Sequence, residues 1–95
     1  MKAIFTAAAL ADLDEILAYT SENYPALAGR LERRIRDVVA HIEEWPLNAR
    51  MLNGQPDVRI VPLLRYPYKI FYRIADGRID ILHIHHTARE PWQPG

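Results

Sequence analysis

The chain has no cysteine among its 95 residues, which removes disulfides, thiolate metal ligands and a cysteine nucleophile together. It has no net charge either, since twelve Lys and Arg balance twelve Asp and Glu. A protein evenly coated with positive charge for nucleic acid is thereby excluded, though a local basic patch is not. No apolar run approaches the ~18–20 residues that a membrane span needs, so no membrane partner is expected. Also missing are a glycine-rich phosphate loop, an internal repeat and any low-complexity stretch. The first ten residues faintly suggest a signal peptide, but Asp12, Asp14 and Glu15 follow without a clear cleavage site, so the segment reads as mature protein. These absences fit a cytoplasmic setting. What is present, 49% hydrophobic and 25% charged residues, suits one globular domain over residues 1–95.

Periodicity supplies the elements. Lys2 to Phe5 is a short apolar stretch closed by Thr6, a good N-cap residue, and predicts a first strand. A helix follows from Ala7, with Leu10, Leu13 and Ile16 or Leu17 on its apolar side, until Pro25 breaks it and starts a second. In that second helix Leu27, Leu31, Ile35, Val38, Ile42 and Trp45 form one stripe over five turns, expected to be buried, and Pro46 ends it. Residues 46–57 read as a loop by composition. Three strands are expected next: Val58–Arg65, with Pro62 implying an edge or bulge; Tyr68–Ile74; and Ile79–His86, joined to its predecessor by an Asp76-Gly77 hairpin turn. The expected fold class is α+β, an N-terminal strand and helical hairpin packed on a small antiparallel sheet in the order β-α-α-β-β-β.

The neutral total conceals a gradient. Residues 1–24 set Lys2 against Asp12, Asp14, Glu15 and Glu22; residues 25–45 balance four Arg with four acids; residues 46–95 carry seven basic groups against four acidic ones. By this reading the sheet is the basic side.

Three constellations could carry chemistry. Arg59, Arg65, Tyr66, Tyr68, Lys69, Tyr72 and Arg73 combine cations with aromatic faces, the pairing that neutralises phosphate and stacks bases. The same set also describes a solvated sheet face whose tyrosines cap the core. His83, His85 and His86 invite a metal assignment, but His83 and His85 alone share a strand face, Asp80 is expected opposite them, and no metal or other cofactor is expected. His86 would share its face with Leu82 and Ile84, either plugging the sheet's end or serving as a general base. Third, Arg89 lies just past the last strand, where a guanidinium can clamp a phosphate or carboxylate, or simply pair with Glu90. Asp12, Asp14 and Glu15 suit a solvated helix face.

These pieces resemble, in order along the chain, the RelE/ParE superfamily of toxins from bacterial type II toxin–antitoxin, or plasmid-stabilisation, modules. The run Ala11-Asp12-Leu13-Asp14-Glu15-Ile16 is similar to that family's opening helix. Val58-Arg59 followed by Tyr66-Pro67-Tyr68-Lys69-Ile70-Phe71-Tyr72 resembles its central block, and Ile79–His86 with Thr87-Ala88-Arg89 resembles its closing strand. The resemblance implies a growth-inhibiting toxin held in check by a cognate antitoxin, ParD-like or RelB-like. It also implies one of two actions: RelE-type relatives are metal-independent, ribosome-dependent mRNA endonucleases, and ParE-type relatives poison DNA gyrase by binding; a third class, an inactive relative that serves only as a protein-binding module, stays open beside them. On the nuclease reading Arg59, Tyr68, Lys69, His86 and Arg89 would be catalytic; on the binding reading Arg59, Arg65, Lys69, Arg73 and Arg89 would meet the partner. Lys69 stands where RelE-like enzymes carry an arginine and lacks its bidentate fork, and the lysines those enzymes carry before the sheet are missing. The resemblance is therefore closer to ParE.

Overall fold

The computed structural model describes residues 1–88. Strand β1 (Ala3–Phe5) leads into helix α1 (Ala7–Asn23) and helix α2 (Pro25–Glu44). Strands β2 (Arg50–Leu52), β3 (Gln55–Pro62), β4 (Tyr68–Ala75) and β5 (Arg78–His86) follow. The helices pack on one face of a five-stranded sheet ordered β1-β5-β4-β3-β2, in which β1 runs parallel to β5 and the other pairs are antiparallel.

The α+β plan with a helical hairpin on the sheet matches the expectation, with two differences. The sheet is mixed, because β1 enters beside β5, a strand more than seventy residues later, and no local pattern encodes that direction. The segment expected as a loop contains β2, joined to β3 across Asn53-Gly54 with Gly54 at φ 80°. That Asn-Gly pair is itself a hairpin signal. Elsewhere the punctuation acts as expected. Thr6 caps α1 by accepting from the Ala9 amide at 3.2 Å, Pro25 opens α2, and Asp76 and Gly77 turn at φ 53° and 73°. β3 begins and ends three residues earlier than its apolar pattern suggested, and Pro62 closes it where β2 no longer flanks it.

Leu31, Ile35, Val38 and Ile42 of α2 are buried against Ile70, Tyr72, Ile79, Ile81 and Ile84 of the sheet. Leu27 and Trp45, the ends of the expected stripe, are instead 38% and 53% exposed. On α1 the inward face is Ala9, Leu13, Ile16 and Thr20, so Leu10 points outward, one position away from the expected stripe. The Thr20 hydroxyl is satisfied by the Ile16 carbonyl at 2.8 Å.

Alternation in β4 holds: Tyr68, Ile70, Tyr72 and Ile74 face the helices, and Phe71 faces away in a second cluster with Val58 and Ile60, flanked by Leu52 and Leu82. A bulge breaks the alternation in β5. Phe71 pairs with His83 and Tyr72 with Ile81, leaving Leu82 as an extra residue. One inserted residue resets a period of two. Leu82 therefore joins the outer cluster, and His86 shares the helix-facing side with Ile84 but not with Leu82. Asp80 falls on the same side as His83 and His85, not opposite them. Both placements correct the sequence expectation for the same reason.

The bulge sits where β1 stops. β1 pairs with β5 only as far as Phe5 against Ile81. Beyond that point side chains from α1 take over the exposed edge. The Thr6 hydroxyl reaches the Ile81 carbonyl at 2.9 Å and the Leu82 carbonyl at 3.2 Å, and the Asp12 carboxylate accepts from the Ile84 amide at 3.0 Å. An edge strand's unpaired groups are thus satisfied by a helix.

Candidate functional site

The start of β4 and the end of β5 lie side by side, with Tyr68 opposite His86 and Lys69 opposite His85. Tyr68 and His86 face the helices and meet edge to face at 5.2 Å between ring centroids. On the other face Lys69 Nζ lies 6.0 Å from the Phe71 ring centre, and His85 meets that ring edge to face at 6.3 Å. The four polar side chains of this strand end are therefore split between the two faces of the sheet.

A cleft of about 410 Å3 opens between α1 and the strand ends. Asp12, Glu15 and Tyr19 of α1 line it, together with Tyr68, His85 and His86. Asp12 contributes more than surface charge, because its Oδ2 lies 2.5 Å from His83 Nδ1 while also holding the Ile84 amide. An ionised carboxylate only accepts, so His83 Nδ1 carries the proton in this contact. The solvated-face reading of Asp12 is thereby replaced by a structural one. Asp12, Glu15 and Tyr19 step by three and four along α1, a polar stripe beside the apolar one. That stripe was the available signal for this wall of the cleft. No Lys or Arg lines the cleft among the described residues. An apolar groove of about 290 Å3 adjoins it, sharing Tyr19, Tyr68 and His86 and adding Tyr24, Leu27 and Tyr66.

The remaining candidates lie elsewhere. Arg59 pairs with Tyr72 across the helix-facing side, and one of its terminal nitrogens donates to the Leu47 carbonyl at 3.1 Å and the Ala49 carbonyl at 2.8 Å. It anchors the α2–β2 loop to the sheet. Lys69 lies on the opposite face and three residues before Tyr72 in β4, about 10 Å away by strand geometry. Arg73 lies 4.0 Å from Asp57. Arg65 stands exposed in the β3–β4 loop beside α2. Arg89 lies outside the described residues. Among those residues no group of three or more His, Cys, Asp or Glu is arranged to hold a metal ion.

Tyr72 completes the loop anchor, its hydroxyl donating to the Pro46 carbonyl at 2.6 Å. Burial pushes its phenol above the usual value, while the Arg59 charge and a backbone hydrogen bond at Ala49 pull the other way. A folded pKa above the unfolded one gives a contribution that is full below about pH 10 and is lost as pH rises through the folded value. Tyr72→Phe is therefore expected to cost about 1 kcal/mol at neutral pH through the lost hydrogen bond. The same variant should flatten the alkaline loss of stability, as urea unfolding on either side of about pH 10 will show.

Comparison with known proteins places this architecture. Residues 3–91 match the family model described as ParE toxin of type II toxin–antitoxin system, parDE. The chain belongs to the ParE toxin family. A relative from Caulobacter vibrioides named Toxin RelE2 is 33% identical over 87 residues, covering 90% of this chain and 94% of that one. Among solved structures, the chromosomal ParDE system from P. aeruginosa superposes with a TM-score of 0.79 at 27% identity, covering 90% of this ParE-family chain and 95% of that one. The isolated E. coli RelE toxin shares the fold, with a TM-score of 0.62 at 17% identity over 94% of this chain and 86% of its own. The architecture of two helices on a mixed sheet is thus that of the RelE/ParE toxins. No helix among the described residues is long and apolar enough to cross a membrane.

Proposed function

We propose that this ParE-family toxin arrests growth by binding and poisoning DNA gyrase in the cytoplasm, and that a cognate ParD-like antitoxin neutralises it. The observation that carries the choice of action is the charge of the cleft. Cleaving RNA by attack of the 2′-hydroxyl puts negative charge on the phosphorane, which needs cations aimed at it. Among the described residues Tyr68 and His86 share the cleft with Asp12 and Glu15, while Arg59 donates to two loop carbonyls and Lys69 lies on the other face of the sheet. A tyrosine-rich groove beside a carboxylate-lined cleft favours binding a protein over cutting a phosphodiester. The family match and the ParDE structural neighbour support the same choice.

One finding favours a second reading. The Caulobacter vibrioides relative carries a RelE name, and Lys69, His85, His86 and Arg89 stand near the positions where RelE-like enzymes hold catalytic groups. On that reading His86 or Tyr68 would be the base, with Arg59, Lys69 and Arg89 stabilising charge. Induction of the chain in bacterial cells separates the two. The expected result is growth arrest with an SOS response and intact transcripts, unchanged in mRNA pattern when Lys69→Ala and Arg89→Ala are combined. Codon-linked mRNA cleavage that disappears in the double variant would establish the nuclease instead.

A further inference from the structure

The balanced charge of α2 separates in space. Arg30, Arg33, Arg34 and Arg36 lie in its first twelve residues with Glu32 among them, and Asp37, Glu43 and Glu44 follow. Arg36 is within 3.7 Å of Glu32, and Arg34 Nε donates to the Leu63 carbonyl at 3.0 Å. Arg30 and Arg33 are exposed and, with Arg65 from the β3–β4 loop, make no ion pair among the described residues. On the sheet, by contrast, Arg73 and Arg78 lie beside acids and Arg59 is held by carbonyls. On the sheet Arg50 and Lys69 also lack an ion pair among the described residues, but only at the start of α2 do three such cations, Arg30, Arg33 and Arg65, line one concavity. Arg30 repels Arg33 and Arg34 one turn away, an arrangement that an isolated helix disfavours.

These arginines surround a concavity of about 490 Å3, with Leu64 at its rim and Asp37 its one acid among the described residues. Leu64 is 78% exposed and sits at φ 65°, a left-handed conformation that bulky side chains rarely adopt. An apolar side chain held in solvent by an unfavourable backbone, inside a ring of unpaired cations, is an outlier of the kind that gathers at recognition surfaces.

We propose that the surface formed by Arg30, Arg33, Arg65 and Leu64 docks a short acidic helical segment of a partner protein that carries an apolar residue among its carboxylates. Carboxylates three and four residues apart on such a helix repeat at the same ~5–6 Å as Arg30 against Arg33 and Arg34, and guanidinium forks grip them bidentately. Leu64 then meets the apolar residue. A long polyanion fits less well, because the chain is neutral overall and Asp14, Glu15 and Glu22 stand exposed on the neighbouring α1. The surface is separate from the cleft, so this inference does not depend on which target the toxin strikes.

The test is an NMR titration of the 15N-labelled full chain with a synthetic glutamate-rich helical peptide of about 12 residues, about 18 Å long, with leucines on one side. Amide shifts are expected to concentrate at residues 30–34 and 63–66 and to weaken with added salt. Arg33→Ala combined with Arg65→Ala should weaken binding roughly 5- to 10-fold. Leu64→Gly suits the positive φ, so it should keep the melting temperature yet bind several-fold more weakly. Shifts confined to another surface, or variants that bind like the wild type, would overturn the proposal. So would a DNA duplex of about 20 base pairs that occupies the same amides more tightly than the peptide, which would make the patch a phosphate-backbone site.

Discussion

Replacing Phe71 with alanine is expected to remove about 3–5 kcal/mol of stability, the range for deleting a buried aromatic ring. Phe71 is 1% exposed although it lies on the face without helices. Among the described residues it packs against Val58 and Ile60, with Leu52 and the bulged Leu82 at the edges. Against the roughly 5–15 kcal/mol that holds a domain together, such a loss leaves a large unfolded population. Phe71→Leu keeps most of the volume and should cost about 1.5 kcal/mol or less. Urea unfolding of the two variants measures the difference. A loss below about 1 kcal/mol for the alanine variant would show that the outer cluster is not packed as described. The ring also holds Lys69 and His85 in place, so the alanine variant should release both side chains from the strand end.

Asp12→Ala is the second large effect, about 2–3 kcal/mol, because it leaves the partly buried Ile84 amide without its acceptor and takes the carboxylate away from His83. The carboxylate binds His83 and the Ile84 amide in the stretch of β5 that β1 does not reach. Its loss should therefore be read locally as well as globally. Hydrogen exchange at the Ile84 amide should accelerate well beyond what the fall in global stability accounts for, since that amide has become an open strand edge. Asp12→Asn keeps an oxygen for the amide and should lose less. Equal protection of Ile84 in wild type and Asp12→Ala would contradict the account of α1 as the edge's cover.

Punctuation and periodicity carried most of the fold. Thr6, Pro25 and Pro46 bound the helices, Asp76-Gly77 sets the last hairpin, and the run from Leu31 to Ile42 marks the core face of α2. These signals are local, acting through φ preferences, a cap or one helical repeat, so they are visible without tertiary context. What stayed hidden depends on contacts between distant residues. The parallel pairing of β1 with β5 is one case, and the bulge at Leu82 another, since an extra residue shows only against its partner strand. The bulge in turn decided which faces Asp80, Leu82 and His86 occupy. Arg59 is the clearest case at the candidate site. Sequence marks it as a cation near aromatics, and only the loop carbonyls of Leu47 and Ala49 show that it is already engaged. Asp12 moved the other way, from an ordinary surface acid to the group that joins α1 to the end of β5.

The neutral composition, too, acquires a different meaning in three dimensions. Carboxylates line the cleft at the strand ends, and unpaired arginines gather beside Leu64 on the far side of Tyr66. A neutral chain of this kind can present an acidic cleft to one partner and a basic patch to another.

The most direct test of the binding account is a supercoiling assay with purified chain, DNA gyrase and relaxed plasmid, run beside a ribosome-dependent cleavage assay on the same preparation. The account predicts that supercoiling stops and cleaved DNA accumulates while mRNA in the ribosomal A site stays intact. Full supercoiling activity together with cut mRNA would contradict it.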